Sequence, residues 1–193
     1  MDKREKILNE IEIYSGKVVK LSKYDVICPN GNLSERELVK HNGGALVLGI
    51  KDNKILMIKQ YRFAYDKVLL ELPAGKLEKN EDPKAAAFRE FEEETGYKAL
   101  NMFDLGVMYP SCGYSNEKIY MYYTTDFSKT AQHLDEDELI DVYEMDIDTV
   151  LDMIDRDEIR DAKTICAISK YDRIRKKLRI WSFFILYFVY NIL

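Results

Sequence analysis

One segment of the chain carries its own start and stop signals for a helix. Asp82 offers a capping oxygen, Pro83 suits the first helical position, Ala85 to Phe91 propagate the turn, and Gly96 closes it. Residues three and four apart share a helix face, so Glu90, Glu93 and Glu94 project together, with Cβ atoms ~5–6 Å apart. Phe88, Phe91 and the alanines are left for the opposite face, which is expected to be buried. A solvated acidic face is a viable alternative, because exposed like-charge pairs cost only ~0.2–0.5 kcal/mol each. In a cleft the balance changes: at an effective dielectric near 20, two charges ~4 Å apart repel by ~4 kcal/mol. Carboxylates in such a place take up protons or bind a cation. Magnesium suits them, since it takes carboxylate oxygens and water at ~2.0–2.1 Å and lets substrate phosphates complete its shell.

The rest of the chain narrows what this helix can serve. A formal charge of -5 without a long basic block makes the chain a poor candidate for binding nucleic acid, and no such partner is expected, because Lys and Arg must neutralise phosphates there. Cys28, Cys112 and Cys166 are odd in number and form no close pair, which argues against a disulfide framework or a zinc knuckle. With only His41 and His133, the sequence argues against a multi-histidine zinc site too. The 193 residues suit one compact domain with a small appendage. The charged start Met-Asp-Lys-Arg-Glu-Lys lacks an apolar signal core, so the expected compartment is the cytoplasm.

Residues 1–40 read as a short helix followed by strands, with Pro29-Asn30-Gly31-Asn32 as a turn. Gly44 to Ile50 and Ile55 to Ile58 flank Lys51-Asp52-Asn53-Lys54 and read as a hairpin. Val68 to Leu72, Ile119 to Thr125 and Ile140 to Tyr143 are further strands; Thr149 to Ile154 and Arg160 to about Lys177 are further helices. Strands interleaved with helices make a mixed α/β or α+β domain. Ile180 to Leu193 is apolar almost throughout but shorter than the ~20 residues of a spanning helix. The favoured reading of this tail is packing on the core or on a partner subunit, with membrane contact as the alternative.

Outside the helix the pattern extends: Gly75, five residues, Glu81, seven residues, then Arg89-Glu90-Phe91-Glu92-Glu93-Glu94-Thr95-Gly96. This spacing resembles the Nudix box, whose invariant positions are filled here by Gly75, Glu81, Arg89, Glu90, Glu93, Glu94 and Gly96. With each drawn at ~7%, coincidence would occur roughly once in 10^8 windows. Phe91 and Tyr97 stand where the box is usually aliphatic. Gln60-Tyr61-Arg62, Leu70 to Glu78, Tyr109 to Lys118 with its Pro110, and Arg36-Glu37-Leu38-Val39-Lys40-His41 are similar to the ADP-ribose pyrophosphatase branch. The resemblance spans about residues 10 to 178.

That resemblance implies an α/β/α sandwich with a mixed sheet at 43–178, a small N-terminal β-subdomain at 1–42 that crosses to the partner of a homodimer, and a tail at 179–193 without counterpart. It implies hydrolysis of a small nucleoside diphosphate sugar, ADP-ribose, to AMP and ribose 5-phosphate, with Mg²⁺ (or Mn²⁺) as cofactor. The implied metal ligands are the Ala74 carbonyl, Glu90 and Glu94, with Glu93 near the same ions. Glu81 and Arg89 brace the box loop. Arg62 binds the diphosphate, a surface salt bridge being its alternative. Arg36 is a weaker substrate candidate with an equal structural reading. Ser111 and Gly113 lie in a loop whose backbone N–H groups meet anionic oxygen. In the acidic loop before Ile140, Glu136 matches the base and Glu138 a further metal ligand; the two could exchange roles, and a solvated loop is the plain alternative. The same chemistry on GDP-mannose or a dinucleotide stays open. So does a non-catalytic ADP-ribose-binding module, although a pure binder has no need of the repulsive glutamate cluster.

Overall fold

The computed structural model describes residues 2–136 and 138–192, with side-chain environments as far as Leu178. In chain order the strands are β1 (Lys6–Ser15), β2 (Lys20–Ile27), β3 (Leu33–Lys40), β4 (Gly44–Lys51), β5 (Lys54–Arg62), β6 (Lys67–Glu71) and β7 (Ala74–Lys76). Helix α1 (Pro83–Thr95) precedes β8 (Tyr97–Ala99), β9 (Phe103–Met108), β10 (Ile119–Thr124), β11 (Phe127–Lys129) and β12 (Ile140–Asp146); α2 (Ile147–Asp155) and α3 (Ala162–Ile192) follow.

The central sheet runs β12-β5-β4-β10-β9, with β6 on β5 and β7 on β4. β4 and β10 are parallel and their other neighbours antiparallel, so the sheet is mixed. β4 shows why its sequence reads as an unbroken apolar run. Successive side chains leave a strand on opposite faces. Ala45 and Val47 pack with Ala86, Ala87 and Phe91 of α1, whereas Leu46, Leu48 and Ile50 pack with Ile147, Val150, Ala167 and Ile168 of α2 and α3. Both faces are therefore covered, which gives the α/β/α layering. The β4–β5 turn holds Asp52 at φ 50 and Asn53 at φ 64, the two positive values a tight hairpin turn requires.

Helix α1 begins and ends as its sequence dictates. The Asp82 carboxylate accepts the Ala85 N–H at 2.9 Å, and Gly96 closes the helix at φ 68. Its buried face differs from the expectation. Ala85 is exposed and Phe88 only half-buried, while Glu94 and Thr95 are buried beside Phe91. The helix lies over β4 and β7, so its acidic edge points into the protein.

Two other expectations change. The N-terminus forms no short helix: its first element is β1, antiparallel to β2 in a sheet of order β1-β2-β3. Every residue of β1 is exposed, including Ile7, Leu8, Ile11 and Ile13. This sheet joins the rest of the chain where the Val39 N–H donates to the Tyr114 carbonyl at 2.7 Å and the His41 N–H to Asn116 Oδ1 at 2.9 Å. The last helix does not stop near Lys177 but continues to Ile192. Among the described residues, no helix is long and apolar enough to cross a membrane. What the apolar tail packs against lies outside the described side chains.

Candidate active site

One wall of the site is built by α1 and β7. Glu94 is 3% exposed and accepts the Ala74 N–H at 2.8 Å. Burial and then the neighbouring Glu90 push its carboxyl up to about 8, against the pull of the Ala74 N–H, and Glu138 adds to the rise. Burial likewise raises Glu90, opposed by Arg89, with Glu93 and Glu138 adding to it. A Cβ at Gly75 would stand 1.9 Å from the Glu90 carboxyl carbon, so a larger residue there would displace the Glu90 carboxylate from its present place. Arg89 organises the rest. It donates to both Glu81 oxygens at 3.0 Å, to Glu90 at 2.8 Å and to Glu93 at 2.9 Å.

The facing wall is cationic. Arg62, at the end of β5, grips Glu71 with two hydrogen bonds of 2.8 and 2.7 Å. Lys163, at the start of α3, pairs with the same Glu71 and lies 2.9 Å from Asp161. Glu71 is 1% exposed; burial works to raise its carboxyl, but Arg62 and Lys163 outweigh that and leave it below the usual carboxylate range. Thr164 fixes the helix start: its hydroxyl donates to Asp161 at 2.6 Å and accepts the Leu72 N–H at 2.9 Å. Between the walls lies a cavity of about 910 Å³ lined by Arg62, Glu90, Glu93, Glu94, Glu138 and Lys163 among others. Opposite charge across this space is felt by both sides: Glu94 raises Arg62, and Arg62 opposes the rise of Glu94.

The NUDIX domain family matches residues 40–168. This chain belongs to the Nudix family. Two relatives align with it over 178 residues, 91% of this chain and 96% of theirs. One, 43% identical, is the methanol dehydrogenase activator of Bacillus methanolicus, and the other, 40% identical, is the ADP-ribose pyrophosphatase of Bacillus subtilis strain 168. The crystal structure of an ADP compounds hydrolase superposes with a TM-score of 0.83 at 19% identity, covering 91% of this chain and 96% of the other, and so shares its fold.

The Nudix box residues come together as a unit: Gly75, Arg89, Glu90, Glu93 and Glu94 line one cavity, and Glu81 holds Arg89 from behind. Ala74 and Arg62 line it too. From the acidic loop, Glu138 and Asp135 line the cavity, whereas Glu136 sits exposed on a turn outside the lining. Ser111 and Gly113 are not brought to the box. Ser111 lines a neighbouring cavity, and a Cβ at Gly113 would meet nothing within 4 Å. Arg36 lies on β3, tied to Glu5, Ser34 and the Glu35 carbonyl. Asp135, Glu71 and Lys163 were not singled out by sequence reasoning. For Glu71 there was a signal: a lone acid between Leu70 and Leu72 in an apolar strand must find a cation if buried.

The donor set fits a hard divalent cation. Glu90, Glu94 and the adjoining Ala74 carbonyl offer oxygen only, and burial plus mutual repulsion leaves the two acids short of positive charge. Among the described residues, no three His, Cys, Asp or Glu side chains form a ready-made cage. The reason is local: Arg89 draws Glu90 and Glu93 toward itself, and the Ala74 N–H holds Glu94. Magnesium tolerates this, since it keeps several waters and needs only one or two carboxylates. Gln60, another lining residue, has a buried side-chain oxygen without a partner among the described residues.

Proposed function

We propose that this Nudix protein hydrolyses ADP-ribose at its diphosphate, giving AMP and ribose 5-phosphate, with Mg²⁺ as the physiological cation and Mn²⁺ as a substitute. The observation that carries this reading is the opposition of Arg62 to Glu90 and Glu94 across one cavity, since a diphosphate needs a cation on each side. Glu90, Glu94 and the Ala74 carbonyl would hold the metal, with Glu93 and Glu138 beside it. When bound, the cation neutralises diphosphate oxygens and lowers the pKa of a coordinated water. Arg62 presents to the diphosphate the Nη1 side of its guanidinium, and the two hydrogen bonds from Nε and Nη2 to Glu71 fix the plane of that group. Glu136 takes the proton of the attacking water, entering from the loop that already carries Glu138 to the cavity. The ADP-ribose pyrophosphatase of Bacillus subtilis supports the choice of substrate.

The protein works, on this reading, as a homodimer. The apolar side chains of β1 are exposed in a single chain, and a second copy is the occupant that removes them from water. Arg36, Ser111 and Gly113 would then act from the sheet and loop nearest that contact.

Product analysis of ADP-ribose, GDP-mannose and a dinucleotide in ¹⁸O water, with and without EDTA, tests the proposal. AMP and ribose 5-phosphate must form only with the divalent cation, and the label identifies the phosphorus attacked. Faster turnover of GDP-mannose overturns the substrate. The variant E136Q should lower kcat by ~10²–10⁴-fold at unchanged metal affinity, and E138Q should raise the Mg²⁺ requirement. The reverse pattern exchanges their roles.

A further inference from the structure

A second cavity, of about 530 Å³, adjoins the catalytic one. The two share Glu117, Ile119 and Lys163, so they form one cleft with two lobes and Lys163 at the seam. Each lobe has the size of a small-molecule site. Their chemistry differs. The catalytic lobe carries Tyr61 and Phe63, exposed aromatic faces of the kind on which a nucleobase stacks. The second lobe has an apolar floor of Leu69, Met108 and Ile119, and its rim bears Lys67, Arg160 and Lys163.

The charges on that rim do not cancel. Asp161 is taken by Lys163 and Thr164, which leaves Glu117 as the one carboxylate of the lobe set against both Lys67 and Arg160. Arg160 spends its Nε on the Asp157 carbonyl at 2.8 Å, which leaves its charge uncompensated. Lys67 is held through its backbone at the start of β6, and its ammonium makes no hydrogen bond or ion pair among the described residues. A neutral pentose would satisfy neither cation, whereas an anionic group standing over the apolar floor would meet both.

We infer that the second lobe is an anion subsite, and that the preferred substrates are nucleoside diphosphate sugars whose sugar itself carries a phosphate. The inference rests on the diphosphate-hydrolase reading for its orientation: nucleoside and diphosphate occupy the catalytic lobe, and the group beyond the diphosphate passes Lys163 into the second. Lys67 and Arg160 select this group and take no part in bond breaking.

The test compares ADP-ribose with ADP-ribose 1″-phosphate on the full chain. Equilibrium binding is measured in EDTA, where turnover is excluded, and kcat/KM is measured with Mg²⁺. The phosphorylated compound should bind at least tenfold tighter and show a correspondingly higher kcat/KM. In K67A/R160A the advantage should vanish while kcat/KM for ADP-ribose stays within about threefold; K67A alone should remove part of it, and thermal denaturation checks that both variants fold. Equal binding of the two compounds to the wild-type chain overturns the inference, as does an advantage that survives in K67A/R160A. If ADP-ribose is not hydrolysed but the binding preference holds and depends on Lys67 and Arg160, the catalytic reading fails and the subsite stands.

Discussion

Glu71 and Glu94 stand behind opposite walls of one cleft, and water is withheld from both. Burial pushes each carboxyl toward its neutral form, yet Glu71 ends below the usual range and Glu94 ends near 8. The difference lies in the company each keeps. Glu71 has two hydrogen bonds from Arg62 and the ammonium of Lys163, so the chain itself completes its charge balance. Glu94 has one backbone N–H and a like-charged neighbour in Glu90. Burial alone therefore does not tell a structural acid from a working one. An acid whose balance is closed holds the fold; one whose balance is left open is kept for something that arrives from outside.

The comparison can be broken most severely at Glu71. Removing one partner of a buried pair leaves the other uncompensated, so E71Q should cost ~3–5 kcal/mol in urea denaturation, with or without Mg²⁺. E94Q should do the opposite to the metal-free protein, leaving it as stable as the wild type or more so, while kcat/KM falls by more than ~10²-fold, beyond what loss of an outer support typically costs. Equal destabilisation by the two variants would erase the distinction.

The pH dependence sharpens it. Glu71 sits below the ordinary value, so its contribution is present above about pH 4.5 and is lost as pH falls further. Glu94 is raised from 4.5 to about 8, so its contribution is fully present below pH 4.5 and is lost as pH rises through 8. The metal-free protein should consequently lose melting temperature between pH 5 and 8, and E94Q should flatten that slope. Because a cation must displace the Glu94 proton, calorimetry should find Mg²⁺ affinity rising ~tenfold per pH unit up to about 8 and level above it. The smallest effect belongs to a glutamate paired with arginine in open water. Arg156 and Glu158, 57% and 47% exposed, form such a pair at 2.7 Å, and E158A should leave the urea midpoint unchanged.

What could be read in advance follows the range of the interactions concerned. Asp82, Pro83 and Gly96 act within one helix, and Asp52-Asn53 within one turn, so those elements were legible residue by residue. The box spacing brings Glu90 and Glu94 to one cavity with Gly75 because a helix and its preceding loop fix that geometry locally. β1 was misread because Ile7 and Ile11 are four apart and fit a helix face, a pattern that competes with the strand-like alternation of Glu10-Ile11-Glu12-Ile13 in the same segment. Lys163 was invisible for another reason: it meets Glu71 across 92 residues of chain, and no local pattern announces that pairing. The exposed position of Glu136 depends on how its loop folds over the cavity, which register alone does not specify.

The bare backbone at Gly75 has a consequence for how this enzyme can change. A methyl group there would fall 1.9 Å from the Glu90 carboxyl carbon, so any exchange at Gly75 must swing the Glu90 carboxylate out of its present place. Lys67 and Arg160, by contrast, are exposed on a rim. New specificities should accumulate around the sugar end of the groove, and saturation libraries should return a nearly immobile helix face beside a freely varying one.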